Sequence, residues 1–277
     1  MSIQKPTRRL VAATLLAALA LPTLALRPAS AVTPEEIKAR GKIIVGIQGD
    51  NPPWGFVTSE GKQDGIDADI ARLYAKELGV QVEFMPLEVN NRIPALTTGR
   101  VDVLFATMAM LPERAKAVQF SKPYVANAIV LIGPKSAEIK SNADMAKFTI
   151  GVAKGAAQDT QVTKNAPSGT TIRRYDGDAA SIQALVSGQV QAVGGNIFYI
   201  QRIEQAKPGE FENKLEFQKL YNGACTRLGE KEINASINAF IDKIKANGEL
   251  QKIYDKWMKV PVHQFPDSIE GVPFSAG

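Results

Sequence analysis

The chain has 277 residues, of which 45% are hydrophobic, and its 33 Lys and Arg against 28 Asp and Glu give a formal net charge of +5. A single Cys, Cys225, and a single His, His263, exclude an intrachain disulfide and a Cys/His zinc site, and any His-based triad would depend on that one His. The length suffices for a large core or for two lobes. The positive charge by itself suggests an acidic partner such as a nucleic acid or a membrane surface.

The first 31 residues carry most of this excess charge. They hold four basic residues and no acidic ones, an apolar run at 10–26, and an Ala-Ser-Ala cleavage site at 29–31. This order is typical of a secretory signal peptide, and Pro22 disfavours a membrane anchor because it interrupts a run already at the short limit for a spanning helix. Residues 32–277 keep 29 basic and 28 acidic side chains, a net charge of +1, so the argument for an acidic partner is lost.

The signal peptide also predicts the compartment. We expect a periplasmic protein that is exported by the general secretory route, although the pair Arg8 and Arg9 leaves the twin-arginine route open. No Cys lies near the cleavage site, which argues against a lipid anchor. We expect a monomer that binds no nucleic acid.

From residue 42 onward, short apolar strands alternate with amphipathic segments at helical spacing, which predicts an α/β fold with largely parallel sheets. The predicted strands are 42–47, 80–84, 101–106, 148–152, 170–174 and 189–193. The predicted helices are 65–78, 93–96, one beginning near Pro112, one after Gly155, and those at 179–186, 231–246 and 250–258. A Pro-containing irregular tail follows at 260–277.

Three chemical motifs are missing from the sequence. No segment matches the phosphate loop G-x-x-x-x-G-K-[ST], the dinucleotide pattern G-x-G-x-x-G or the nucleophile motif G-x-S-x-G. Aromatic residues make up 7% of the chain and do not alternate with basic clusters, as they do in single-strand nucleic-acid sites. We therefore expect neither a cofactor nor a metal, and the sequence does not favour nucleotide binding or serine hydrolysis.

A series of segments instead carries one family pattern over almost all of residues 42–258. The segments are 44–47 (IVGI), 50–56 (DNPPWGF), 64–71 (DGIDADIA), 91–96 (NRIPAL), 99–103 (GRVDV), 107–114 (TMAMLPER), 120–124 (FSKPY), 150–155 (IGVAKG), 188–192 (GQVQA) and 245–257 (KANGELQKIYDKW). In this order and spacing they resemble the bacterial extracellular solute-binding proteins of family 3, the amino-acid-type binding proteins of ABC importers.

The resemblance implies a two-lobed, type II periplasmic-binding-protein fold, each lobe a mixed, largely parallel sheet flanked by helices. The chain would cross between the lobes twice, near 125–128 and near 220–222. We expect a signal peptide at 1–31, lobe 1 at 32–127 and again at 221–277 with the tail, and lobe 2 at 128–220. Small polar solutes would bind in the cleft between the lobes, where strands end and helices begin.

Two arginines are the leading candidates for ligand contacts. In the family, the residue that matches Arg114 holds the ligand carboxylate, a task that suits the planar guanidinium. Arg92 matches a position that is usually apolar but is Arg in the glutamate/aspartate-type branch, where it contacts the ligand. The alternatives are a solvated Arg114 paired with Glu113 or another acid, and an Arg92 that only covers its helix.

Other site candidates follow from the same matches. Thr107 either donates its hydroxyl to the ligand or is a strand Thr satisfied by the backbone. Trp54 either supplies the aromatic surface that the family usually has at the position of Asn51, or belongs to the core. Met108 lies in the same matched segment and completes this set.

Several positions depart from the family pattern. Asn196 stands where an Asp usually pairs with the ligand's ammonium group, and an amide cannot neutralise a buried charge. Ala109 and Ala157 replace hydroxyl residues, although backbone N–H groups near helix starts still suit an anion. The cleft is thus expected to bind a carboxylate as the family does and to bind an ammonium group more weakly. The ligand could therefore be a standard amino acid, a modified amino acid or another carboxylate.

Five other conspicuous side chains are not expected to bind the ligand. Asp67 and Asp69 lie in the first turn of a predicted helix, and Asp102 lies at a strand start. Cys225 is expected to be a buried small hydrophobic residue and not a nucleophile, since no His accompanies it as a base. His263 is expected to be exposed in the tail.

The sequence therefore predicts a periplasmic binding protein that closes on a small carboxylate solute and delivers it to a membrane permease. The rival is a cyclohexadienyl or arogenate-type dehydratase on the same fold, which would need a general acid in the cleft. Of the presumed lobe 2 site positions, Asn196, Ala157 and Lys154, only the Lys is ionisable, so an enzyme is not expected. A sensory receptor module would need a transmembrane or signalling segment after the binding region.

Overall fold

The structure is a computed structural model that describes residues 1–2 and 31–276 of the chain. The predicted signal peptide therefore lies almost wholly outside the described residues. The helices and strands described below all belong to the unit formed by residues 31–277.

The strands and helices alternate along most of this unit. The strands are β1 (Lys42–Ile47), β2 (Asp50–Asn51), β3 (Gly55–Val57), β4 (Gln63–Asp64), β5 (Gln81–Pro86), β6 (Val103–Leu104), β7 (Gln119–Pro134), β8 (Ile150–Ala153), β9 (Ile172–Tyr175), β10 (Ala192–Asn196) and β11 (Phe211–Thr226). The helices are α1 (Pro34–Arg40), α2 (Ile66–Leu78), α3 (Val89–Thr97), α4 (Pro112–Ala115), α5 (Ala157–Asn165), α6 (Asp178–Val186), α7 (Tyr199–Ala206), α8 (Lys231–Ala246) and α9 (Glu249–Trp257).

Eight strands form one mixed sheet in the order β5-β1-β6-β11-β7-β10-β8-β9. Both ends of this sheet are parallel, and the antiparallel pairs all involve β7 or β11. We define lobe 1 as β1–β6 with helices α1–α4, α8 and α9, and lobe 2 as β8, β9 and β10 with helices α5–α7. The long strands β7 and β11 belong to both lobes.

The two predicted crossings fall in the middle of β7 and β11 and lie opposite each other. Leu220 pairs with Asn127, and Asn222 pairs with Val125. None of the predicted strands covers these two segments, which are strands of 16 residues each. The division of the chain at 127/128 and 220/221 stays a prediction.

Most predicted elements occur in the structure with small shifts of their first and last residues, and β1 and α8 have the predicted bounds. The strand expected at 101–106 is reduced to Val103–Leu104, because the chain turns away at Thr107, whose φ of 53° is left-handed. The helix near Pro112 is only four residues long, and α3 is longer than expected, with Pro94 inside it. Helices α1 and α7 and the small sheet β2-β3-β4 were not predicted.

The core of lobe 1 lies between its sheet and the amphipathic helices α2, α8 and α9. Each helix buries one stripe of apolar side chains at helical spacing, such as Ile70 and Tyr74 on α2 and Ile237 and Ile241 on α8. Burial of each such side chain stabilises the fold by about 1.5–3 kcal/mol. Lobe 2 has its own apolar clusters on the two faces of its strands, so both lobes are well packed up to the cleft that separates them.

Two glycines near the end of β10 bring the elements of lobe 2 into close contact. A Cβ on Gly194 would overlap the Val162 side chain on α5, and a Cβ on Gly195 would overlap the ring of Tyr199 on α7. Because both faces of the strand are filled in this way, the position of the Tyr199 ring depends on the missing side chain at residue 195.

We therefore expect Gly195→Ala to destabilise the protein by about 1–3 kcal/mol, since the added methyl group must displace the Tyr199 ring. Denaturant unfolding of the wild type and the variant measures this difference. Gln189→Ala, at an exposed side chain just before the strand, serves as the control and should change stability by less than about 0.5 kcal/mol. Equal stability of Gly195→Ala and wild type would contradict the packing described.

Candidate functional site

The two lobes enclose a small cavity at the carboxyl ends of the parallel strands. Its lining consists of Gln48, Asn51, Val89, Arg92, Thr107, Ala109, Arg114, Asn127, Ile129, Ala156, Ala157, Gln158, Asp178, Asn196, Leu220 and Asn222. The enclosed space has a volume of about 20 Å³, enough for a single water molecule. Seven of the nine predicted site residues line it.

Trp54 and Met108 do not line this cavity, and Trp54 instead takes the core position that the sequence left open as its alternative. Trp54 is fully buried in the core of lobe 1, and its ring packs edge to face on Phe198 with centroids 5.5 Å apart. Met108 is buried in an apolar cluster and faces a separate groove. Sequence matching placed both residues near the site. Met108 follows the left-handed turn at Thr107 and lies in a different apolar cluster from Trp54.

Arg92 is held inside the cleft by backbone oxygens. It lies on α3 and is 3% exposed; its Nη1 donates to the Ala106 carbonyl at 2.7 Å and its Nε to the Leu87 carbonyl at 3.4 Å. Its Nη2 is buried without a hydrogen-bond partner among the described residues. Burial lowers the pKa of Arg92, although nearby acids, led by Asp178, oppose this shift. A buried donor that lacks a partner is costly, so Arg92 is suited to an acceptor in the cavity.

Arg114 bridges the two lobes. Its Nη1 donates to the Ala109 carbonyl at 3.3 Å, and its Nη2 donates across the cleft to the Gly155 carbonyl at 3.2 Å. Burial lowers its pKa to about 10, and the positive charge of Arg92 contributes. In the described part of the chain, neither arginine has a carboxylate oxygen within 4.0 Å, so the expected alternative of a pair with Glu113 is absent there. The cleft therefore holds two cationic groups that form no direct ion pair within the described residues.

Thr107 is fixed by a buried acid rather than left free for a ligand. Its backbone N–H and its hydroxyl donate to Oδ2 of Asp67 at 2.7 and 3.1 Å, and the Tyr124 hydroxyl donates to Oδ1 at 2.7 Å. Burial raises the pKa of Asp67. Asp67 thus stabilises the left-handed backbone at Thr107, in line with its expected structural role, and the Thr107 hydroxyl proton is already used.

The lining contains one acid that sequence reasoning missed. Asp178, the first residue of α6, is 2% exposed and accepts hydrogen bonds from Gln48, from Gln158 Nε2 at 2.6 Å and from the Tyr199 hydroxyl. Burial raises its pKa to about 7, and the neighbouring Asp50 acts in the same direction. Its place after the carboxyl end of β9 is a signal by which the sequence could have indicated it, because lining residues such as Gln48 and Thr107 also follow the carboxyl ends of strands.

The floor of the cavity is formed by the middle of the two long strands. Asn127 lies on β7 and Asn222 on β11, and both are buried. Asn127 Oδ1 and both amide atoms of Asn222 have no hydrogen-bond partner among the described residues. These groups suit a ligand that carries hydrogen-bonding atoms.

Two of the positions that depart from the family pattern meet across the cleft. Asn196 Nδ2 donates to Asn51 Oδ1 at 3.3 Å, while Asn196 Oδ1 accepts from the backbone N–H of Phe198 at 2.9 Å. Close by, the Ala179 N–H at the start of α6 donates to Asp50 Oδ2 of lobe 1 at 3.0 Å. Direct polar contacts thus join the lobes around the cavity.

The remaining single-residue expectations concern Cys225 and His263. Cys225 is fully buried, as expected, and burial raises the pKa of its thiol. His263 was expected to be exposed but is partly buried, because its ring packs edge to face on Tyr254. Over the described residues, no group of three or more His, Cys, Asp or Glu is placed to hold a metal ion. None of the helices seen there is long and apolar enough to cross a membrane.

Comparison with known proteins places the chain in a family. Residues 43–260 match the model of the bacterial extracellular solute-binding proteins, family 3, and the chain belongs to this family. The L-cystine-binding protein of Escherichia coli (strain K12) is 26% identical over 230 residues, covering 82% of this chain and 86% of that protein. The ABC transporter glutamine-binding protein of Bacillus subtilis (strain 168) is 30% identical over 229 residues, covering 80% and 83%.

Solved structures agree with this placement. The solute receptor for L-cysteine of Neisseria gonorrhoeae superposes with a TM-score of 0.77 at 30% identity, covering 82% of this chain and 94% of that one. The predicted type II fold and the predicted class, a solute-binding protein and not an enzyme, are confirmed, since the relatives are named as binding proteins. One premise was nevertheless wrong. Lys154 is exposed and does not line the cavity, whereas Asp178 supplies an ionisable group there.

Asp178 also predicts a pH dependence of stability. Its pKa is about 7 in the folded protein against an ordinary value of 3.8, so the folded state binds more protons than the unfolded state between these values. Without solute, stability should therefore fall as pH rises from about 4 to 7, by a few kcal/mol from this group, and level off above. Thermal unfolding across this range measures it, and Asp178→Asn should flatten the slope. A slope unchanged in Asp178→Asn would contradict the prediction.

Proposed function

We propose that this chain is the periplasmic binding component of an ABC importer and that its solute is an amino-acid-type carboxylate bound in the cavity between the lobes. The closed protein, acting as a monomer, would deliver the solute to the membrane permease subunits. The observation that carries the proposal is the pair of arginines, Arg92 and Arg114, which face one cavity without a carboxylate partner in the described residues. The family membership and the names of the relatives support the same class of solute.

The carboxylate would lie between Arg114 and the start of α5. No side chain caps the N-terminus of this nine-residue helix, and Ala156 and Ala157 line the cavity beside Gly155, whose carbonyl accepts from Arg114. Backbone N–H groups and the helix dipole favour an anion at such an end. An arginine from lobe 1 and a helix from lobe 2 would thus hold one carboxylate together, so binding would favour the closed arrangement of the lobes.

Entry of the solute requires the lobes to separate. The enclosed volume of about 20 Å³ is smaller than any amino acid, and polar contacts such as Asn196 to Asn51 and Ala179 to Asp50 close the cleft around it. The antiparallel strands β7 and β11 are the connections at which such a movement would bend. A solute would replace these direct contacts with contacts to both lobes.

Replacement of Arg114 tests this proposal. Arg114→Ala should weaken binding of the solute by about 100-fold or more, because a buried charged hydrogen bond is lost while the ligand carboxylate stays desolvated. Arg114→Lys should bind the solute with an affinity between those of the wild type and Arg114→Ala, since lysine keeps the charge but not the planar pair of donors. Titration calorimetry with L-glutamine, L-cysteine and L-cystine measures the affinities.

Arg173→Ala, at an exposed arginine of lobe 2, is the control and should bind like the wild type. Affinity of Arg114→Ala within twofold of wild type would show that the carboxylate lies elsewhere. If the purified protein instead converts prephenate to a product seen by its absorbance, the chain is an enzyme and the proposed function is wrong.

A further inference from the structure

We propose that Asp178, and not Asn196, binds the positively charged amino group of the solute. This inference rests on the proposed function, because it assigns a second group of the same ligand. It moves the acid of the site from the end of β10 to the first turn of α6. The cleft would then hold a zwitterion, with its carboxylate at the arginines and its amine at Asp178.

The geometry of Asp178 leaves one place for a further donor. Oδ1 accepts from Gln158 Nε2 and from the Tyr199 hydroxyl, and Oδ2 accepts from Gln48. An ionised carboxylate offers about four acceptor positions, so Oδ2 keeps one of them. Because Asp178 lines the cavity, a ligand ammonium has access to that position.

The charge of Asp178 lacks a direct partner. All three of its donors are neutral, and within the described ranges no Lys or Arg nitrogen lies within 4.0 Å of it. A buried carboxylate without a cation is unfavourable. A cationic ligand group is the partner that this site lacks.

The charged groups around Asp178 do not supply that partner. Arg202 on α7 donates to the Asp50 carbonyl at 3.1 Å, and Arg92 on α3 donates to the Ala106 carbonyl at 2.7 Å. Asp50, whose carboxylate accepts from Ala179 at the start of α6, adds a second negative charge nearby. Its presence makes this end of the cavity more favourable for a cation.

Asn196, by contrast, carries no charge, and both of its polar side-chain atoms already hydrogen-bond within the protein. Its Nδ2 donates to Asn51 and its Oδ1 accepts from Phe198. The neutral amide therefore fixes the ends of β2 and β10 against each other and leaves ligand charge to Asp178. The close packing of Tyr199 on Gly195 places the tyrosine hydroxyl that orients the Asp178 carboxylate.

The experiment compares each amino acid with the same molecule lacking its amine. The pairs are L-cysteine with 3-mercaptopropionate, L-cystine with 3,3′-dithiodipropionate and L-glutamine with 4-carbamoylbutanoate. Wild type should prefer the amino acid by about 100-fold in the pair that it binds best. Asp178→Asn should reduce this preference to less than about tenfold while binding of the desamino compound stays near the wild-type value. Asp176→Asn, at an exposed neighbouring acid, should leave the preference unchanged.

The outcomes separate this inference from the proposed function. Failure of the wild type to bind any of the three pairs would count against the proposed function. An undiminished preference in Asp178→Asn, or equal loss of both members of a pair, would overturn the assignment of Asp178 and leave the proposed function standing.

A measurement on the wild type does not depend on whether the variant folds. At pH 6.5, calorimetry in buffers of different ionisation enthalpy should detect release of a proton when the amino acid binds, because the ammonium group favours the charged form of Asp178. The desamino compound should release none through this group. Equal proton release for both compounds would contradict the assignment.

Discussion

The long antiparallel pair formed by β7 and β11 is the constraint on which the structure depends. The two strands hydrogen-bond along 16 residues each and carry the parallel strands of one lobe on one side and those of the other lobe on the opposite side. This arrangement makes the carboxyl ends of both parallel sets face one space. It also forms the floor of that space, where Asn127 and Asn222 keep amide atoms unpaired.

The most informative property of the resulting cavity is the charge of its lining residues. Lobe 1 contributes two arginines that are held by backbone carbonyls, and lobe 2 contributes Asp178, which is held by neutral donors. Opposite charges are thus fixed at separate places without pairing directly, although Arg92 and Asp178 influence each other's pKa. Such a separation suits a ligand with both charges, because neither Asp178 nor the two arginines form a direct ion pair in the described residues.

Periodicity and family pattern made much of the fold and site predictable. Helices such as α2 and α8 have one stripe of apolar residues at helical spacing, which must pack against another surface. The first and last residues of each helix could be predicted from the extent of this stripe. The long strands were not predictable in this way, since the exposed residues of β11 such as Lys219 do not show that a lobe junction lies within it. Asp178 was missed because its burial depends on Gln48 and Tyr199, which are distant in sequence.

The sequence by itself determined the family and the two-lobed class of fold, and it predicted Arg92 and Arg114 as ligand contacts, because these follow from local pattern and from the order of short segments. Only the tertiary structure decided which neighbours of those segments reach the cavity. In that structure Trp54 lies in the core, the Thr107 hydroxyl donates a hydrogen bond to Asp67, and Asp178 lines the cleft. The physical reason is that burial and charge compensation are properties of residues brought together from distant parts of the chain, and a one-dimensional pattern does not record these contacts.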